Sequence, residues 1–280
     1  MNFVRGGVEL ATRIRAVVRA LAGKLSAQVR TLPTRPASGW GDLFLQFFLF
    51  FIAYQSYQLV RGISDGQGGL ALANADRIIH IERSLGSFFE PDLQQALLNQ
   101  HWLVDGASWL YLNSHFVLTV GFLAWLYLFR HEHFRFVRNM FMVAMALALV
   151  GYALYPTAPP RLSVVGVVDT VSVYTGVHIA APSTHLFYNA YAAVPSMHVC
   201  FALLIAVPGF ALSRTAWARG WWSAYPMLVF FAVVITGNHF WLDAAAGAAV
   251  ACLAAVTARQ LARVGPASWA WQEVPQRAPA

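Results

Sequence analysis

Apolar and polar positions alternate along this chain in long blocks rather than in short periods. Six apolar segments stand out, at about 42–60, 106–129, 138–155, 197–212, 222–238 and 240–262. A membrane-spanning helix needs ~20 predominantly apolar residues, with a range of roughly 17–25. The fourth segment is short, and it reaches adequate length only if the loop before it dips into the membrane. Between the first two segments, Pro91 follows Glu90 and suits the first position of a helix. Phe89, Leu93 and Leu97 then recur every four residues and give that helix one apolar face. Leu72, Ile78, Ile79, Ile81 and Leu85 suggest a second such helix. Both are expected to lie on the outer membrane surface. Residues 156–195 read as a long loop that opens with Pro156, Pro159 and Pro160 and holds Arg161, Asp169, His178 and His185. Loops of this length are uncommon unless functional. The expected fold is all-α, a polytopic membrane protein built as a six-transmembrane helix bundle with short interfacial helices on the outer side.

Composition supports the membrane reading. The chain is 58% hydrophobic and 11% charged, where soluble domains carry roughly 25% charged residues. The net charge of +7 invites a nucleic-acid partner, and the distribution of the charge argues against one. Fifteen of the nineteen basic residues fall on pieces that are cytoplasmic if the N-terminus is inside, and only Arg61, Arg77, Arg83 and Arg161 are left outside. This is the asymmetry of the positive-inside rule, and it predicts a plasma (inner) membrane protein with both termini cytoplasmic. Residues 1–41 form a basic, amphiphilic N-terminal segment and linker that can lie on anionic lipid. Residues 42–262 form the membrane domain, and 263–280 read as a disordered cytoplasmic tail. Cys200 and Cys252 read as small packing residues, with no disulfide framework or zinc spacing.

On that topology the polar residues gather at one depth on the outer side. Arg161 lies just outside the third span, Ser196 and His198 at the outer end of the fourth, and His239 and Asp243 at the outer end of the sixth. Arg61 and His115 lie near the outer ends of the first and second. Ionisable groups at membrane depth are costly and are functional candidates by default. Four residues separate His239 from Asp243, which places both on one face of a helix. Asp243 can take the imidazole N–H, fix its tautomer and stabilise developing charge. Two histidines can divide labour, one attacking phosphorus and the other protonating a leaving group. Ser196 or a neighbour can cap a helix whose N-terminus faces an anion, and Arg161 supplies a planar fork suited to phosphate. No metal or cofactor is called for. Each reading has a plainer rival: Arg161 as an interfacial anchor, Arg61 as a snorkelling helix end, His115 as a bundle hydrogen bond, and Asp169, His178 and His185 as loop residues. The Gly247 and Ala251 face of the last helix reads as a close-packing surface.

Three stretches carry a resemblance. "YPTAPPR" (155–161), "AAVPSMH" (192–198) and "TGNHFWLDAAAG" (236–247) resemble the three motifs of the type 2 phosphatidic acid phosphatase (PAP2) superfamily. They are closest to its inositolphosphotransferase branch, which includes inositol phosphorylceramide synthase. The runs "YQLVRG" and "ERSLGSFFEP" are similar to that branch as well. The resemblance implies catalysis through a phosphohistidine, with His239 as nucleophile, Asp243 as its orienting partner and His198 as general acid and then base. Arg161 and Ser196 would bind phosphate, with Arg61 and His115 as further candidates. There are departures. Leu154 stands where the phosphatase branch has lysine, Ala232 and Val233 stand where it has Ser-Arg, and Met197 replaces a glycine. The expected partners are a phospholipid or lipid phosphate at the outer leaflet, an alcohol acceptor or water, and membrane lipid. The missing basic ligands tilt the expectation from hydrolase towards transferase. The competing readings are a lipid phosphate phosphatase and a non-catalytic lipid carrier or scaffold with a decayed site.

Overall fold

The structure is a computed structural model that describes residues 38–64, 67–175 and 191–271, without the side chains at 57–58, 60–64 and 114–115. The basic N-terminal segment up to residue 37, His178, His185, the tail beyond 271, and the Arg61 and His115 side chains therefore lie outside the described residues. The chain divides into two units, 1–45 and 46–280. Only the opening turns of the first helix are described in the former, and every contact below lies within the latter.

All regular structure among the described residues is helical. Helix α1 covers Gly39–Ser64, α2 Gly68–Ser84, α3 Glu90–Leu97, α4 His101–Asn113, α5 Thr119–Phe129 and α6 His131–Leu154. Two short turns, α7 (Pro160–Ser163) and α8 (Thr170–Thr175), precede α9 (Met197–Leu212), α10 (Ala216–Ile235) and α11 (Trp241–Val264). Each of the six apolar segments falls on helix. Among the described residues, α6, α10 and α11 are long and apolar enough to cross a membrane, and α4 with α5 adds a fourth if the bent pair is one span. The second apolar segment is thus not one straight helix. A π-helical stretch at Ser114–Leu118 separates two arms bent by 49°, a known cause of kinks. The third segment begins earlier than its hydropathy suggests. Helix α6 starts at His131, so the charged residues ahead of that segment form its first two turns.

Large apolar side chains point outward on these helices, among them Val150, Val207, Phe231 and Val256. The buried positions include Gln94, Ser108, Arg138 and Asp243. A surface this apolar around a partly polar interior suits a lipid solvent, and the protein is an integral membrane protein.

Two apolar clusters place the site. Ala107, Ile235 and Ala232 pack with Leu93, Leu97, Leu103 and Leu110, joining α3 and α4 to the end of α10. Ala71, Ala75, Ile78 and Ile79 of α2 pack with Ala158 and Phe240, with Tyr155, Val194 and Leu242 alongside. The two short helices after α1 therefore rest on the segments that carry the three motifs. Thr157 pairs with this region through its backbone, donating to Tyr191 O at 2.8 Å and accepting from Ala193 N at 3.2 Å. Asn74 Nδ2 ties α2 to Pro156 O at 2.8 Å.

Candidate active site

The end of α10 and the start of α11 form the centre of the site. Thr236 closes α10, and the next residue, Gly237, has φ of 68°, the left-handed conformation that glycine adopts without a steric cost. Asn238 N then reaches back to Val233 O at 3.1 Å, the 6→1 bond of a Schellman ending. A Cβ on Gly237 would stand 2.7 Å from Val167 Cγ1, so space as well as dihedral demands glycine. This turn presents His239 ahead of α11, whose N-cap is Phe240.

The spacing of His239 and Asp243 therefore acts differently from the expectation of one helical face. His239 lies before the helix and Asp243 at its third position. The Asp243 carboxylate folds back, its Oδ2 accepting from Phe240 N at 2.9 Å and lying 3.3 Å from His239 Nδ1. Ala193 O lies 3.0 Å from the same nitrogen. With two acceptors at Nδ1, the proton sits there and the lone pair sits on Nε2. Burial, first, and the nearby Arg161 charge push the His239 imidazolium down to about 3, against the pull of the Ala193 carbonyl. The resting imidazole is neutral at pH 7.

Helix α9 brings up the second histidine. The His198 ring stands 5.8 Å from that of His239, centroid to centroid, in an edge-on arrangement. Tyr111 of α4 stacks on the His198 ring at 4.3 Å. Ser196 occupies the N-cap position of α9, but its hydroxyl caps nothing. That corrects the expected capping role. Ser196 is fully buried, and its Oγ has no hydrogen-bond partner, which is costly for a buried hydroxyl. Its backbone N donates to Asp243 O at 2.9 Å, tying α9 to α11. Gly247 makes that approach possible, because a Cβ there would collide with the Ser196 carbonyl oxygen.

Arg161 comes to the same place. Its backbone N donates to Gly237 O at 2.9 Å, its Nη1 donates to Asn238 Oδ1 at 2.9 Å, and its Nε faces Asp169 Oδ2 at 3.5 Å. The Arg161 side chain is only 2% exposed. Asp169, which the sequence leaves among loop residues, is thus a partner of Arg161, and Ser172 Oγ holds the same carboxylate at 2.8 Å. Of the seven residues singled out from sequence, the structure brings together His239, Asp243, His198, Ser196 and Arg161.

Sequence reasoning passed over several groups. Asn238 stands beside His239 and is held by Thr236 Oγ1 at 2.9 Å. Gln94 is buried and spans a gap, donating to Ile235 O at 2.8 Å and accepting from Val168 N at 2.7 Å. Glu82 and Glu90 are both buried and accept from the first amides of α11. The signal was available in part. Glu82, Glu90 and Gln94 are polar residues set on the apolar faces of two amphipathic helices, where a merely interfacial helix needs none.

The arrangement defines a helical membrane protein with a tautomer-fixed histidine, a second histidine facing it and a buried guanidinium beside them. That set can bind an oxyanion and move a group through nitrogen. A sequence profile of the PAP2 superfamily matches residues 76–257, and the chain belongs to that superfamily, whose membrane-helical members are phosphatases and phosphotransferases. No curated protein and no solved structure matches the chain.

Proposed function

We propose that the protein transfers a phosphoryl or phosphodiester group from a lipid at the outer leaflet, through a phosphohistidine on His239. The observation that carries this reading is the anchoring of His239 Nδ1 by Asp243 and Ala193, which leaves Nε2 as the nucleophile. In the first step His239 Nε2 forms a bond to phosphorus, the P–O bond to the leaving alcohol breaks, and His198 gives that oxygen a proton. In the second step an acceptor hydroxyl loses its proton to His198, its oxygen attacks phosphorus, and the P–N bond breaks. Asp243 stabilises the imidazolium character that develops on His239. Arg161, the buried Ser196 hydroxyl and the uncapped first turn of α9 bind the phosphate oxygens. Arg61 and His115 are further phosphate ligands in this reading. The six apolar helices are six spans with both termini cytoplasmic.

The acceptor is an alcohol in preference to water, as in an inositolphosphotransferase. Support comes from the positions that lack the phosphatase cations. Ala232 and Val233 are buried in the packed core and Leu154 is 78% exposed at the end of α6, so Arg161 is the one cation described at the site. Arg161 with Arg61 carries less positive charge than the site would with the lysine and the second arginine of the phosphatase branch, which suits a monoanionic diester better than a dianionic monoester.

The test is a panel of defined phospholipids with the purified protein in detergent, scoring free phosphate and head-group exchange, with acid-labile label on the protein as the readout of phosphohistidine. His239→Ala, His198→Ala and Asp243→Asn are each expected to lower turnover by about 10³-fold or more in protein that still folds. Full activity in His239→Ala protein sinks the reading. Turnover absent from every lipid, with no inhibition by or binding of vanadate, favours a carrier.

A further inference from the structure

We infer that Glu82 and Glu90 are positioning residues for the reacting histidine, because together they fix the first turn of α11 from which Asp243 orients His239. The inference rests on the proposed role of His239. The first N–H groups of a helix have no partner within it. In α11 the N-cap is Phe240, whose side chain offers no acceptor. Its first donors are filled from elsewhere: Trp241 N donates to Glu90 Oε1 at 2.9 Å, and Leu242 N donates to Glu82 Oε1 at 3.1 Å. Both carboxylates are buried, with 0% and 1% exposure. They arrive from α2 and α3, about 150 residues away in the chain. Gly86, with φ of 66°, turns the chain between the two helices, and Glu90 Oε2 accepts from Phe89 N at 3.0 Å at the start of the second one. Two buried carboxyl groups at one helix start, beside Asp243, are costly to keep out of water. Such an arrangement persists where it holds geometry rather than where it adds stability. Its effect is to set the rotation and depth of the turn that carries Asp243 at its third position, and therefore the His239 ring.

The two carboxylates are not equivalent. Burial, then the neighbouring Glu90 charge, raises the Glu82 acid to about 9, so Glu82 is neutral at pH 7 and needs only its acceptor oxygen. Glu90 uses both oxygens as acceptors. Glu82→Gln therefore keeps the contact that matters, whereas Glu90→Gln turns an amide NH₂ towards the Phe89 N–H.

The experiment measures kcat and KM, per folded molecule, in purified full-length protein, alongside hydrogen exchange of the Trp241 and Leu242 amides. Glu82→Ala is expected to lower kcat about 10- to 100-fold with KM within about threefold and to speed exchange at both amides. Glu82→Gln should regain most of the loss, and Glu90→Gln should stay about 10-fold or more below wild type. Should the alanine variant fail to fold, the contrast between the two glutamine variants decides. Wild-type kcat in Glu82→Ala, a Glu82→Gln as impaired as the alanine variant, or a loss confined to KM overturns the inference. If the wild type turns over no lipid phosphate, the functional reading fails on its own. Exchange at Trp241 and Leu242 then decides whether the carboxylates hold the turn.

Discussion

Gly247→Ala tests the packing logic of the site with one methyl group. The glycine faces the Ser196 backbone, where a Cβ would collide with the carbonyl oxygen and stand 3.1 Å from the carbonyl carbon and 3.4 Å from the nitrogen. All three are main-chain atoms at the start of α9, so no side chain can rotate out of the way. Overpacking of a tight contact costs about 1–3 kcal/mol, and rigid backbone on the receiving side puts this site at the upper end. Replacing glycine within a helix returns about 1 kcal/mol. The net loss is about 2 kcal/mol, or about 4–8 °C in melting temperature for a domain of this size. Turnover should fall further, because the helices that part are those joined by the Ser196 N to Asp243 O bond, and a displacement of ~1 Å can cost about 10²-fold. Gly220→Ala is the control. It lies in α10 with nothing within 4 Å of its Cβ position, and should raise the melting temperature slightly. Thermal melting in detergent and a turnover assay on both variants suffice. Equal melting temperatures and equal activities in the two would refute the argument that glycine is needed where α9 meets α11.

Stability should fall at both ends of the pH range, for opposite reasons. His239 is depressed from 6.5 to about 3, so the unfolded chain takes up a proton that the folded one refuses, and stability drops as pH falls from about 6.5 towards 3. Glu82 is raised from 4.5 to about 9, so the folded chain keeps a proton that the unfolded one has lost, and stability drops as pH rises from about 4.5 towards 9. Glu82→Gln should flatten much of the alkaline decline in melting curves taken across pH, and an unchanged decline there counts against the assignment. Arg161→Lys should lower turnover by about 10-fold or more, since an ammonium cannot serve Asn238 and Asp169 from one planar fork. Near-normal turnover would show that the charge alone is what the site uses.

The helices were legible where one period or one composition dominates. Long apolar runs of Val, Leu, Phe and Ala can satisfy their backbone in lipid only as helices. Pro91 with Phe89, Leu93 and Leu97 marked α3 by rotation alone. That His239, Asp243, His198 and Arg161 come together was legible because charge and imidazole are rare in such a chain. What escaped was decided by contacts across sequence. Nothing local to His239 says that Asp243 reaches it by folding back around Phe240 N. Nothing local to Ser196 says that its hydroxyl stays uncapped. The partners of Trp241 N and Leu242 N come from helices 150 or so residues earlier, and backbone donors leave no trace in side-chain patterns. The early start of α6 escapes hydropathy because Glu132 and Arg135 fall in its first two turns, and the Arg138 that follows is buried against Asn139 and Gln46.

The Asp169 carboxylate beside Arg161 makes the resting site a loaded ion exchanger. On the proposed phosphate-binding role of Arg161, an incoming phosphate does not meet a bare cation; it competes with an internal counter-ion that is 28% exposed and that Ser172 also holds. A small anion such as chloride or sulfate gives up its hydration and gains only what Asp169 already supplied. A phosphate carried on a lipid brings the binding energy of its apolar tail to the exchange. Selectivity against the abundant anions of the surrounding water then follows from the pairing itself, without a gate.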